Sequence, residues 1–146
     1  MTGRPARVRV LLADHDRRIR ELRARLIALL PEDDLDVVAQ TATGPQTLVT
    51  AVEYRPDVVL ANLDLPGLDG IRLAEALGTL LPDCRTVLVA DHSDATALRD
   101  ALAAGVTGFL PKAVSAADLA PVLRAPPAGR CHVDRALLAD AITAAG

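Results

Sequence analysis

The chain has 146 residues, 51% hydrophobic and 24% charged, with a formal net charge of −3. This is the length of one domain by the usual ~100–200 residues per domain, the composition excludes a disordered chain, and no apolar run reaches the ~18 residues of a membrane span. With one Phe, one Tyr and no Trp, the core is aliphatic and there is no base-stacking platform for single-stranded nucleic acid.

From the N-terminus, the Arg-rich stretch Met1 to Arg9 opens straight into a strand pattern, which is not a secretory signal. Val8-Arg9-Val10-Leu11-Leu12 reads as a strand covered on both faces. After Asp14-His15-Asp16 the period becomes helical, with Ile19, Leu22, Leu26 and Leu29 as the apolar stripe and Arg17, Arg18, Arg20, Arg23 and Arg25 pointing elsewhere, up to Pro31. A second unit follows: strand Leu35–Ala42, the break Thr43-Gly44-Pro45, and a helix to Tyr54. Strand Asp57–Asn62, the turn-rich Leu65–Gly70 and a helix from Ile71 to about Leu80 make the third. Strand Arg85–Ala90, the loop Asp91-His92-Ser93-Asp94 and helix Ala95–Ala104 make the fourth, ending at Gly105 as a left-handed cap. Strand Thr107–Leu110, Lys112 and a capping box of Ser115 and Asp118 open a fifth helix, which contains Pro121. Ala125–Gly129 has linker composition, and Asp134 caps a short last helix with Leu137, Leu138 and Ile142 apolar.

Five strand–helix units predict an α/β fold, a doubly wound, five-stranded parallel sheet of flavodoxin-like order 2-1-3-4-5 with a short C-terminal helix. In that architecture the site lies at the carboxyl ends of the strands. Those ends carry Asp14-His15-Asp16, Asn62-Leu63-Asp64, Ala90-Asp91-His92-Ser93 and Lys112, the single Lys among 16 basic residues. Carboxylates beside a lysine suit phosphoryl chemistry, the carboxylates holding Mg²⁺ and the ammonium pairing with phosphoryl oxygens.

Four segments in order, Val8–Asp14, Pro56–Leu60, Pro66–Gly70 and Ala104–Lys112, resemble response-regulator receiver domains of the NarL/LuxR type. The resemblance covers roughly residues 7–124 and implies a CheY-like fold; it divides the chain into a receiver-like domain, 1–124, and a linker with a short helix, 125–146. It also implies phosphorylation on an Asp at the end of the third strand, where this chain has Asn62. An amide cannot form the acyl phosphate. The second acidic position after the first strand is His15, a poor Mg²⁺ ligand, and the hydroxyl position after the fourth strand is Ala90. Asp14, Lys112 and Phe109, the switch aromatic position, are kept. The resemblance therefore implies a pseudo-receiver: not an enzyme, without a cofactor, with Mg²⁺ binding weak or absent. Lys112 would pair with Asp14 or hydrogen-bond Asn62 Oδ1.

The expected role is a phosphorylation-independent module of a transcriptional regulator, acting by dimerisation in the cytoplasm, with DNA reached only through a helix-turn-helix outside this chain. Helix one with helix five is one candidate dimer surface, and the Ala95–Phe109 face is the other. Three alternatives stand beside this: a small-molecule sensor using the degenerate pocket, a stand-alone adaptor, and a receiver phosphorylated at a non-standard acceptor such as Asp64. A metal held by Asp14, His15 and His92 is a weaker possibility than two solvated loop histidines. Cys84 and Cys131 have no motif spacing and read as reduced structural residues.

Overall fold

The structure is a computed structural model that describes residues 7–91, 94–126 and 131–145. Its elements in chain order are β1 (Val8–Ala13), α1 (Arg17–Ala28), β2 (Leu35–Thr41), α2 (Gly44–Tyr54), β3 (Val58–Asn62), α3 (Gly70–Leu80), β4 (Arg85–Ala90), α4 (Ala95–Ala103), β5 (Gly108–Pro111), α5 (Ala116–Arg124), β6 (His132–Val133) and α6 (Arg135–Ala145). Each strand that alternates side chains between two helix layers must be apolar on both faces. Leu11 and Ala13 of β1 enter the core under α2, α3, α4 and α6, whereas Val10 and Leu12 enter the core under α1 and α5. The helices start where short polar side chains satisfy the first backbone donors: Asp16 accepts from Arg18 and Ile19, Asp69 from Arg72, and Ser115 from Asp118. Gly105, at φ +83°, takes the left-handed turn after α4.

The sheet is parallel throughout, with order β2-β1-β3-β4-β5-β6. The five-stranded expectation is corrected to six. The backbone N–H of His132 donates to Thr107 O (3.0 Å) and that of Asp134 to Phe109 O (3.0 Å), adding β6 along β5. Two residues are too few to show a strand period, so β6 is visible only once β5 offers it an edge. Beyond it, α6 turns Leu137 and Ala141 inward, each 2% exposed, while Leu138 and Ile142 face out. Leu137 shares one core with Phe109. The linker residues 127–130 lie outside the described residues.

A second correction concerns α1. Of the stripe expected to face the core, Leu22, Leu26 and Leu29 are 57%, 43% and 78% exposed. Ile27 is buried instead, and Arg23 is turned toward the sheet. Hydrogen bonds from two arginines to strand-end carbonyls hold this phase: Arg20 Nη1 to Asp14 O (2.7 Å) and Arg23 Nη2 to Lys112 O (2.8 Å). Among the described residues no helix is long and apolar enough to cross a membrane.

Candidate functional site

Parallel strands that end together bring their last residues to one rim, and β1, β3, β4 and β5 deliver Asp14, Asn62, Ala90 and Lys112 there. Asp14 is 7% exposed. Its Oδ1 accepts from the backbone N–H of Asp16 (2.9 Å), so half of this carboxylate is engaged in fixing the turn into α1. His15 points into solvent, with Nδ1 4.0 Å from Asp14 Oδ1. Asn62 is 2% exposed, and its Oδ1 lies 3.5 Å from the backbone N–H of Asp64, whose side chain is exposed. Ala90 is buried and offers only its carbonyl, which accepts from the backbone N–H of Lys112 (2.9 Å). Phe109 is fully buried.

The Lys112 ammonium makes neither the ion pair with Asp14 nor the hydrogen bond to Asn62 expected from the sequence. Both acceptors are turned to backbone N–H groups of their own loops, and Lys112 is fixed through its main chain instead. Its carbonyl accepts from Arg23, whose Nη1 is buried without a hydrogen-bond partner. Burial pulls the Arg23 pKa down, and the negative charge of Asp14 acts against that fall. Arg20 and Arg23 are the site residues that sequence reasoning missed. Their signal is the spacing of Arg23 and Ile27, four residues apart on one helical face, which the stronger leucine pattern masked.

This donor set does not fit Mg²⁺, an octahedral ion that takes hard oxygen ligands. It offers one half-engaged carboxylate, a solvated imidazole and a buried amide, next to two guanidiniums. His92, part of the weaker metal reading, lies outside the described residues, and among the described residues no group of three or more His, Cys, Asp or Glu side chains converges.

Comparison with known proteins gives a consistent answer. The family model of the response regulator receiver domain matches residues 10–124. The chain is 30% identical over 127 residues to the DNA-binding transcriptional activator DevR/DosR of Mycobacterium tuberculosis, covering 87% of this chain and 58% of that protein. It is 30% identical over 118 residues to the transcriptional regulatory protein LiaR of Bacillus subtilis, covering 81% of this chain and 55% of that protein. The chain therefore spans somewhat more than half the length of these relatives. Among solved structures, a LuxR-family two-component response regulator from Aurantimonas sp. SI85-9A1 superposes with a TM-score of 0.82 at 26% identity, covering 94% of this chain and 97% of that one. The receiver domain of the putative response regulator NarL from Mycobacterium tuberculosis gives 0.73 at 29% identity, over 79% and 91% of the two chains. With its parallel sheet, its rim of strand-end residues and this run of matches, the chain belongs to the response regulator receiver domain family.

Proposed function

We propose that this chain is a phosphorylation-independent receiver module of a LuxR-type transcriptional regulator, which works by pairing with a second copy of itself rather than by accepting a phosphoryl group. The observation that carries this reading is Asn62, buried at the end of β3 where receivers of this type have their acceptor Asp. Its amide nitrogen has no lone pair available for attack on phosphorus, and its oxygen would give no stable acyl phosphate. Asp64, two residues further on, has an exposed side chain, unlike the buried Asn62. Incubation with acetyl phosphate followed by intact-mass measurement tests this. The expected result is no added phosphoryl mass; a phosphorylated species lost on Asp64→Asn would overturn it.

The face used for pairing is argued from what is already covered. β6 occupies the edge of β5, and α6 packs its Leu137 into the core beside Phe109, so the Ala95–Phe109 face carries the chain's own C-terminal segment. On α1 and its C-cap, by contrast, Leu22, Leu26 and Leu29 stand exposed at spacings of four and three, the seam of a helix-to-helix contact. The charges beside the seam are self-complementary under a two-fold axis. In an antiparallel pair, Arg17 and Arg18 at the start of one α1 would face Glu32 and Asp33 just past the end of the other, in exchange for the pairs that Arg17, Glu32 and Asp33 make within one chain with Glu21, Arg124 and Arg7. DNA binding belongs to an output domain outside these residues.

A further inference from the structure

A helix that covers a sheet turns its apolar residues inward, yet α1 directs a guanidinium at the sheet while three leucines face out. Arg23 is costly there, since a buried cation needs a counter-charge and a full set of acceptors. It reaches one acceptor, Lys112 O at 2.8 Å, and leaves Nη1 buried and unpartnered. Beside it lies a cavity of about 10 Å³, bounded by Asp14, Arg20 and Arg23 on the polar side and by Leu12, Leu60 and Val89 on the apolar side. Asp14 is the carboxylate on that cavity, and among the described residues its closest basic group is His15, at 4.0 Å and largely solvated, while Arg20 binds its carbonyl and Lys112 makes no ion pair with it.

We propose that Arg23 is the resident counter-charge of this pocket, taking across the cavity the electrostatic place beside Asp14 that a divalent cation would otherwise fill, and tying α1 to the turn after β5 through the Lys112 carbonyl. Opposite charges in a low-dielectric setting interact over several ångströms without contact. The same hydrogen bond joins the helix that carries the exposed leucine seam to the strand end that carries Lys112. The pocket is thereby held in one arrangement, and a metal ion entering it would meet the guanidiniums of Arg20 and Arg23 against the carboxylate of Asp14. This inference deepens the reading of a receiver that does not use a phosphoryl group, but its test involves no phosphoryl transfer, so a positive acetyl phosphate result would overturn that reading and leave this one to be decided separately.

The test is a double-mutant cycle on the full chain, with urea unfolding of wild type, Asp14→Asn, Arg23→Met and the double variant, each with and without Mg²⁺ at matched ionic strength. Asp14→Asn is expected to destabilise the wild type but not the Arg23→Met background. The expected coupling is roughly tenfold in the unfolding constant, and the wild-type midpoint should not respond to Mg²⁺. Additive single effects, or a wild type stabilised specifically by Mg²⁺, would overturn the assignment. Should Arg23→Met alone fail to fold, the double variant decides: recovery of a cooperative transition supports the pairing, and no recovery overturns it.

Discussion

At the scale of the residue, the chemistry of the rim turns on a few atoms. Asn62 differs from an aspartate by one nitrogen for one oxygen, which puts a neutral amide rather than a carboxylate at a position 2% exposed. The two cysteines show the opposite case, residues whose surroundings make them inert. Burial pushes the thiols of Cys84 and Cys131 up to about 11, so at pH 8 only about one in a thousand is the reactive thiolate. Both should react slowly with an aromatic disulfide reagent in the folded protein and at the ordinary rate in denaturant. Fast labelling of the native chain at pH 8 would contradict that burial.

At the scale of the element, helix phase and helix ends matter more than helix content. The leucine seam of α1 makes its own prediction: Leu26→Arg, at a position 43% exposed, should leave unfolding stability within about 0.5 kcal/mol while dissociating the pair. Light scattering at increasing concentration checks this, and a monomeric wild type would rule out pairing through α1. The end of α5 is fastened twice. Arg85 Nη1 donates to Leu123 O and Ala125 O, both at 2.6 Å, and Arg124 forms a two-bond pair with Asp34 at 2.6 and 2.8 Å. Arg85→Met leaves those partly buried carbonyls without their donor and should cost about 1–3 kcal/mol in urea unfolding. The hydrogen bond from Arg124 holds the Asp34 carboxyl below its usual range. A lowered folded-state pKa means that this pair contributes fully above the unfolded value of roughly 4 and fades as pH falls through the folded one. Comparing Asp34→Asn with wild type from pH 7 downward should show a difference that closes below about pH 4. The difference itself should be small, because the pair is largely solvated.

At the scale of the whole molecule, the C-terminal segment is the feature that changes the description. Composition suggests that residues after Arg124 lead away from the domain, yet β6 extends the sheet and α6 fills the core around Phe109. Leu137→Ala should therefore cost about 2–5 kcal/mol, the range for emptying a well-packed site, whereas Ile142→Ala, at a position 65% exposed, should be near neutral. Equal and small effects of the two in urea unfolding would show that α6 is not part of the folded unit. Covering β5 with β6 also shortens the list of faces available to another protein, which is why α1 bears the proposed contact.

The alternation of strand and helix periods was enough to determine five of the strands, their helices and the strand order 2-1-3-4-5, because a sheet buried on both faces demands apolar runs at fixed spacing. It also determined which residues reach the rim: Asp14, Asn62, Ala90 and Lys112 stand where their strands stop, and strand ends are set locally. Tertiary structure alone decided what is not local. α1 contained two inward faces of comparable spacing, and hydrogen bonds from Arg20 and Arg23 to carbonyls on other elements selected the one with an arginine in it. β6, two residues long, exists only because β5 presents unpaired backbone groups to it, and Lys112 lost its expected partners to nearer N–H groups of their own loops. Periodicity reports a chain's own repeat; it carries no information about which distant carbonyl will accept a given donor.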